Sequence, residues 1–342
     1  MHFKRLALGA VAASALLSVG MAGEAKAEAY GYAFFDVIDA QFYLGTDTST
    51  RLTTNDVIFD SVANSADADV SSTFGDDANA AVLGGLLTPV LDPALACVDA
   101  EAANCGGVGE NNFGAPNTTV PDIVTADTLF SGALVDIAPD DDAIDPTTAN
   151  STMQVEGRVT NEQGFADTVT DTLTSFRFAL QEASALTLTF DYVLDMLAAV
   201  TSSSGVASVD AELVFTISDP TGTVLWEFVP GETGVGNTVN TDTGTATLNG
   251  GATAVNLQRK LTAGPGDSNS YSASGFYSVT TPILALLDPG QYYTLDIAHT
   301  LDLSVTSTEV AEPATLTLLG IGLIGLAGAG IRRRRREEDM AA

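Results

Sequence analysis

Alternation of apolar and polar residues is the strongest pattern in the chain, and it is clearest between residues 162 and 308. The stretches "LTLTFDYVL", "VDAELVFTISDP" and "YTLDIAHTLDLSV" place apolar side chains at every second position, and "TVLWEFV" groups Val224 with Trp226 and Phe228. A period of two with β-branched and aromatic residues indicates half-buried strands, and turn signals such as "DPTG" and "DPGQ" separate them. This region is expected to form an antiparallel β-sandwich or jelly roll. The side chains expected to face its interior include Leu186, Phe190, Phe215, Trp226 and Leu295.

The region from 28 to 161 has a different texture and is rich in Asp, Ala and Thr. Apolar patches such as "YGYAFFDVIDAQFYL" and "DVIFDSV" are separated by polar stretches such as "NSADADVSSTFGDDANAA" and "APDDDAIDPTTANST". This texture predicts a few strands with long loops, or a partly disordered insertion. The expected fold class is therefore mainly β: a sandwich-like or jelly-roll-like body with long loops, and helices of consequence only at the two termini.

The N-terminus carries the three parts of a secretory signal peptide. A basic start, "HFKR", precedes an apolar stretch from Leu6 to Val19 and the small residues of "AKAEA". We expect residues 1–27 to form a signal helix that is cleaved after Ala27, with cleavage after Ala29 as the alternative. The general secretion machinery and a signal peptidase are the partners that this segment implies.

The C-terminus carries an uncharged, apolar segment followed by a cluster of basic residues. As a helix, residues 314–331 would span about 27 Å, close to the thickness of a bilayer core. The alternatives are a plain, permanent C-terminal anchor and a buried core helix, and the core helix fits poorly with five consecutive arginines. Basic flanks stay in the cytoplasm, so the segment is expected to be a transmembrane helix with residues 337–342 on the cytoplasmic side. The topology signal consists of Arg332, Arg333, Arg334, Arg335 and Arg336.

A short motif, Val310-Ala311-Glu312-Pro313, stands directly before this helix. Pro313 suits the first turn of a helix and holds Glu312 extended, a shape that a protease groove can bind. The motif, the Gly- and Leu-rich span and the arginine cluster make residues 309–336 resemble the PEP-CTERM sorting domain of Gram-negative bacteria that secrete exopolysaccharide. Ala311 departs from that family, which usually has its first proline there.

The resemblance covers only the tail, and it implies where the protein is sent rather than what activity it has. It implies that the chain is the substrate of an exosortase, a membrane enzyme that processes such tails near the motif. The chain would lie transiently in the inner membrane with its C-terminus in the cytoplasm. It would then reach the cell surface or the extracellular space, where extracellular polysaccharide of a biofilm is a candidate partner.

The net charge of the chain limits the classes of partner that the folded body can bind. The chain has 13 Lys and Arg against 44 Asp and Glu, a formal net charge of −31. Few of the basic residues lie outside the two terminal signals. Such a surface repels phosphate backbones, so nucleic acid is excluded as a partner. A solvated acidic surface is the default interpretation.

Cysteines and acidic clusters give the remaining candidate sites. In an oxidising compartment Cys97 and Cys105, the only two cysteines, are expected to form a disulfide. No cofactor is expected. Calcium is the one metal that we consider as a ligand, because oxygen-rich loops can bind it weakly. The candidate calcium ligands are Asp140, Asp141, Asp142 and Asp145, with Asp67 and Asp69 as a second, shorter cluster.

Catalytic chemistry has little support in the sequence. His299 is the one histidine outside the signal peptide, and it falls on the apolar face of a predicted strand, where a hydrogen-bonded core residue is the expected role. Carboxylate pairs such as Asp191 and Asp195 are common by chance in so acidic a chain. We therefore expect a non-enzymatic surface or extracellular-matrix protein. The alternative is a secreted carbohydrate-binding or carbohydrate-active protein with the same tail.

Overall fold

The structure of the chain is a computed structural model. It describes residues 28–46, 48–49, 52, 56–84, 90–91, 95–99, 113, 122–131, 150–160, 164–201, 204–230, 238–241, 244–248 and 257–307. In these ranges the regular secondary structure consists only of β-strands, and every strand pair is antiparallel. The prediction of a mainly β, antiparallel body is confirmed.

The strands form two sheets. The nine-stranded sheet contains β1 (Ala29–Leu44), β4 (Val90–Leu91), β5 (Ala96–Asp99), β6 (Ile123–Ser131), β7 (Asn150–Val159), β9 (Leu186–Val200), β12 (Thr238–Thr241), β13 (Gly244–Leu248) and β15 (Ser268–Thr280). The seven-stranded sheet contains β2 (Val57–Ser72), β3 (Gly75–Gly84), β8 (Gly164–Leu180), β10 (Gly205–Ser218), β11 (Val224–Phe228), β14 (Arg259–Ala263) and β16 (Tyr293–Ser307).

Each sheet contains a strand pair that joins distant parts of the sequence. The nine-stranded sheet runs β12-β13-β15-β9-β1-β7-β6-β4, with β5 also beside β6. The seven-stranded sheet runs β11-β10-β16-β8-β2-β3, with β14 also beside β10. Because β1 pairs with β9 and β2 pairs with β8, the regions 28–161 and 162–308 share both sheets. The change of texture near residue 161 therefore does not mark a boundary between two cores.

The inner faces of both sheets contribute to one buried core. Phe190 of one sheet packs against Phe215 of the other with ring centroids 5.5 Å apart, and Phe228 meets Tyr277 at 5.8 Å. Burial of such aromatic side chains is a main source of stability. All five side chains predicted to face inward are buried, at exposures of 0–4%: Leu186, Phe190, Phe215, Trp226 and Leu295. Val224 differs from its predicted neighbours and is 40% exposed, because the pairing of β10 with β11 shifts register beside it.

The stretch "NSADADVSSTFGDDANAA" was expected to be a polar separator, and the structure corrects this. It forms most of the β2–β3 hairpin, which turns at Thr73–Phe74. Ala66, Ala68 and Val70 are buried on the inner face, while Asp67 and Asp69 point outward. The period of two is present, but its apolar members are mostly alanines, which give a weak hydrophobic signal.

The sheets approach each other closely where two glycines face a leucine. Gly31 and Gly157 are direct cross-strand partners on β1 and β7. A Cβ atom on either would lie 2.8 Å or 2.6 Å from the nearest δ-carbon of Leu303 on the opposite sheet. The missing side chains therefore make the room that Leu303 fills.

The predicted terminal helices lie outside the described residues, as do the signal peptide and everything after residue 307. Within the described residues, no helix is long and apolar enough to cross a membrane.

Candidate functional site

Several residues predicted from the sequence lie outside the described part of the chain. These are the motif Val310-Ala311-Glu312-Pro313, the cluster Arg332–Arg336, Cys105, and the calcium candidates Asp140, Asp141, Asp142 and Asp145. Cys97 lies on β5 and is not a free thiol. Its backbone N–H donates to Asp77 Oδ2 at 3.0 Å. The Cys97–Cys105 disulfide stays a prediction.

His299 lies in the core, as predicted. It is 0% exposed, its Nδ1 lies 2.9 Å from Ser151 Oγ, and Phe35 packs edge-on against its ring at 4.3 Å. Among the described residues its Nε2 has no hydrogen-bond partner. Burial lowers the pKa of His299 to about 3, because the charged imidazolium cannot be solvated there. A neutral, enclosed imidazole is out of reach of a substrate in this conformation.

Threonines surround this histidine on the inner face of β8. Thr172 lies 3.1 Å from Ser151 Oγ, Thr174 donates to Asn64 Oδ1 at 2.9 Å, and Thr170 donates to a backbone carbonyl of β2. With threonine pointing inward, the alternate positions of β8 point outward. These outward side chains include Phe165, Asp167, Val169, Asp171 and Leu173.

The outer face of the seven-stranded sheet is the most distinctive surface of the described residues, and we call it the acidic face. Asp67 of β2 lies directly opposite Asp171 of β8, and Asp302 of β16 lies opposite Asp210 of β10. Like charges opposite each other on neighbouring strands are destabilising. Lys260 Nζ offsets one of these pairs, at 3.3 Å from Asp210 Oδ2.

Protonation equilibria reflect this crowding of carboxylates. Burial raises the pKa of Asp171, and the charges of Asp67 and Asp69 raise it further. The pKa of Asp302 is raised by burial and by the charges of Asp210 and Asp167, against the opposing effect of Lys260. In the described part of the chain, Asp67 and Asp171 therefore lie side by side without an ion pair to offset their charges.

A depression of about 400 Å³ opens on the acidic face where β3, β2 and β8 meet. Asp69, Asp76 and Asp167 line it, and Val169 adds an apolar side. Asp76 accepts a hydrogen bond from Ser71 at 2.7 Å. Across the described ranges, no group of three or more His, Cys, Asp or Glu side chains is arranged to hold a metal ion. Calcium binding, at Asp67 and Asp69 or elsewhere, stays a prediction.

A second cluster of acidic groups lies on the outer side of β1. Tyr32 is 5% exposed, and its hydroxyl pKa is raised by burial and by the charges of Asp195 and Glu156. Glu156 is 2% exposed and accepts a hydrogen bond from Tyr30 at 3.0 Å. The ring of Tyr32 is thus enclosed rather than presented as a platform for a ligand. Asp191 and Asp195, the carboxylate pair named from the sequence, both point to the outer side of the same sheet.

A second depression, of about 550 Å³, lies at the end of the sandwich between the turn after β10 and the turn before β16. Tyr292, Gln291 and Asp296 line it, and the guanidinium of Arg177 lies 5.3 Å from the Tyr292 ring centroid. Arg177 also pairs with Asp60 at 2.5 Å. A partly buried aromatic ring beside planar polar groups can bind a sugar ring.

Sequence reasoning missed Asp167, Asp171 and Asp302 as members of one surface. The signal was present in "GFADTVTDTLTSF", where acidic and apolar residues share one parity and threonines hold the other. Period-two patterns do not state which parity faces inward. Tyr292 was missed because it belongs to a turn, and only the fold brings it beside Arg177.

Comparisons with known proteins do not assign this chain to a family. A scan against models of protein families finds no match to this chain, and a search of curated proteins finds no match either. Among solved structures, the comparison finds a chain from the structure of infectious bursal disease virus Gt strain, 13% identical over 91% of this chain and 90% of that chain. The TM-score of that match is 0.09, and it carries no argument about fold or function.

Proposed function

We propose that this chain is an exported, non-enzymatic surface or extracellular-matrix protein, and that exosortase-type processing of its tail sorts it. Its body is an antiparallel β-sandwich with jelly-roll-like layering. The partners are the general secretion machinery, a signal peptidase, an exosortase, and extracellular polysaccharide of the biofilm around a Gram-negative cell. Its route runs through the inner membrane, with the C-terminus in the cytoplasm, to the cell surface or beyond.

One observation supports the proposal: the described strands begin just after the predicted signal peptide and end just before the predicted sorting motif. β1 begins at Ala29, just after the predicted cleavage site, and β16 ends at Ser307, just before Val310. Cleavage after Ala27 and near Glu312 would therefore cut no strand pair of the body. Cleavage after Ala29 would remove only the first residue of β1. A chain so divided is suited to delivery as one folded unit.

The proposal that the protein is not an enzyme rests on His299, the one histidine of the described residues that an acid–base mechanism could use. His299 is enclosed and neutral, with its pKa lowered to about 3 by burial. General acid–base catalysis is most efficient when the pKa lies near the working pH. A role in holding the core together fits this side chain better than proton transfer.

The sorting proposal is tested by changing Glu312 and Pro313 to alanine in a host that has the processing enzyme. We expect the double variant to remain in the inner membrane at full length, as measured by fractionation and intact-mass analysis. Glu309→Ala, just outside the motif, is the matched control and should be processed as the wild type is. Equal surface delivery of wild type and the double variant would show that the motif is only a helix start.

A second function, carbohydrate binding, is favoured by the depression around Tyr292. Affinity electrophoresis in gels that contain neutral polysaccharide tests it. Tyr292→Ala should lose the retardation that the wild type shows. Tyr271→Ala is the matched control, because Arg259 lies 4.8 Å from its ring centroid in the same kind of contact. Equal mobility of all three proteins with and without polysaccharide would exclude the site.

A further inference from the structure

Exposed apolar side chains concentrate on the acidic face. Of the ten large hydrophobic side chains that are exposed in the described residues, six point outward from β2, β3, β8 and β10 of the seven-stranded sheet. Their exposures range from 39% to 76%. The six are Ile58, Val82, Phe165, Val169, Leu173 and Val206. Apolar side chains gathered on one surface mark an interaction site more often than scattered ones do.

The middle of β8 exposes apolar side chains beside carboxylates. Thr168, Thr170 and Thr172 are buried, at 0–2% exposure, while Val169 and Leu173 on the opposite parity are 40% and 43% exposed. The outward parity also carries Asp167 and Asp171, whose burial without a partner would be costly. The strand therefore keeps these carboxylates outside and leaves Val169 and Leu173 exposed with them.

Apolar and acidic positions alternate along the outer side of β8. The order is Phe165, Asp167, Val169, Asp171, Leu173. Same-side neighbours on a strand are about 6.6 Å apart, and the apolar positions therefore recur about every 13 Å. A complementary partner needs positive charge and apolar surface at the same short spacing.

The described residues provide only two basic side chains in ion pairs with the carboxylates of this sheet. Across the described residues, the ion pairs of the seven-stranded sheet join Lys260 to Asp210 and Arg177 to Asp60. Neither ion pair includes Asp67 or Asp171, or the three carboxylates that line the depression, Asp69, Asp76 and Asp167. An acidic rim with Val169 at its side is suited to the stem and charged end of a lysine or arginine side chain.

We propose that the acidic face is a docking surface for a cationic polypeptide that carries apolar side chains between its basic ones. A bare cation would satisfy the carboxylates but would leave Val169 and Leu173 exposed. A second copy of this chain would bring the same carboxylates against each other, and nucleic acid would be repelled. A basic, partly apolar segment of another protein complements both properties of the surface.

Binding of a designed peptide to the full-length chain tests the proposal. The probe is a labelled peptide in which lysine and leucine alternate at every second position with serine between, so that one side of the extended peptide matches β8. Fluorescence anisotropy measures its dissociation constant at low and at physiological salt. Two further probes replace every leucine by serine, or every lysine by glutamate.

Paired variants separate the face from the net charge of the chain. Asp167→Asn with Asp171→Asn, and separately Val169→Ser with Leu173→Ser, should each weaken binding at least tenfold. The matched charge control is Glu182→Gln with Asp288→Asn, two exposed carboxylates in turns. The matched apolar control is Ile283→Ser with Leu286→Ser, which are 75% and 61% exposed in the segment before β16. Both controls should bind the lysine–leucine peptide within about twofold of wild type, and Trp226 fluorescence verifies that each variant is folded.

Four results would overturn the proposal. The first is absence of binding even at low salt, and the second is equally tight binding of the lysine–serine peptide. The third is a loss of affinity in the control variants as large as in the face variants. The fourth is calcium binding, or self-association in sedimentation experiments, that depends on Asp167 and Asp171 but is unaffected by serine at Val169 and Leu173. That result would assign the surface to an ion or to a second copy of the chain.

Discussion

Mild acid should destabilise this protein through one buried imidazole. His299 is fully enclosed between the sheets, where Ser151, Thr172 and Phe35 surround it. These neighbours are uncharged, and none can stabilise an imidazolium as a carboxylate would. The folded state therefore keeps His299 neutral, with its pKa lowered by burial to about 3. In the unfolded chain its pKa is about 6.5.

The sign and size of the effect follow from these two pKa values. The folded pKa is below the unfolded one, so the contribution to stability is complete above pH 6.5 and is lost as the pH falls towards 3. Between pH 7.5 and 4.5 the free energy of unfolding should fall by about 2.7 kcal/mol from this group alone. Asp36 acts in the opposite direction, because burial raises its pKa to about 6. Only a comparison of variants therefore isolates the histidine.

Urea unfolding at a series of pH values provides that comparison. Trp226 is the one tryptophan of the sequence and is fully buried, so its fluorescence reports the loss of the core. His299→Gln keeps a polar group near Ser151 but cannot titrate, and His299→Phe is a second, apolar replacement. The wild type should lose about 2–3 kcal/mol more than either variant between pH 7.5 and 4.5. Parallel stability curves for all three proteins would refute the argument, since the imidazole would then titrate alike in both states.

Three further outcomes are expected. Gly157→Ala should destabilise the fold by about 1–3 kcal/mol in urea unfolding, because its Cβ would overlap Leu303, whereas Gly264→Ala, with more room, should change little. N-terminal sequencing of exported protein should return Glu28, because Ala25 and Ala27 fit the small-residue pattern before a cleavage site; a mature chain that starts there keeps the Glu28–Arg158 ion pair at 2.5 Å. Alkylation of the unreduced, denatured protein should leave Cys97 unmodified, and free reactivity there would reject the disulfide.

Sequence patterns predicted the strands that alternate large apolar residues. β9, β10 and β16 were recognisable because leucine, valine, isoleucine and phenylalanine occupy one parity, and those side chains are buried. The second half of β2 and all of β3 escaped notice because small or polar side chains occupy their inner positions, such as Ala66 and Ala68 on β2 and Asn79 and Ala81 on β3. Small side chains suffice there because other elements, including β5 and β6, pack against this part of the sheet. Local hydrophobicity cannot show how much space the opposite layer leaves.

The interior of β8 could not be predicted for a different reason. Its period of two was visible, but the buried parity is the polar one, as at Thr170 and Thr172. These hydroxyls are accommodated because Ser151, Asn64 and a carbonyl of β2 provide partners across long sequence distances. The outer parity carries Asp167 and Asp171, and the inner parity continues into Phe176 and Phe178, so this orientation keeps the carboxylates in solvent and the rings in the core. The composition of each parity was visible in the sequence, but the neighbours of β8 were not, and it is the pairing with β2 that brings Asp67 next to Asp171.

The position of β16 connects the fold to the proposed sorting route. It is the last strand described, yet it lies at the centre of the seven-stranded sheet between β10 and β8. In the proposed topology, that sheet is therefore incomplete until Ser307 has been translocated across the inner membrane. Six residues separate Ser307 from the predicted helix start at Ala314, and they reach at most about 20 Å. In the proposed topology the body thus completes folding close to the membrane surface while the tail is still inserted. Cleavage near Glu312 would then release a protein that is already folded, and a chain cut before β16 should be exported without forming the sandwich.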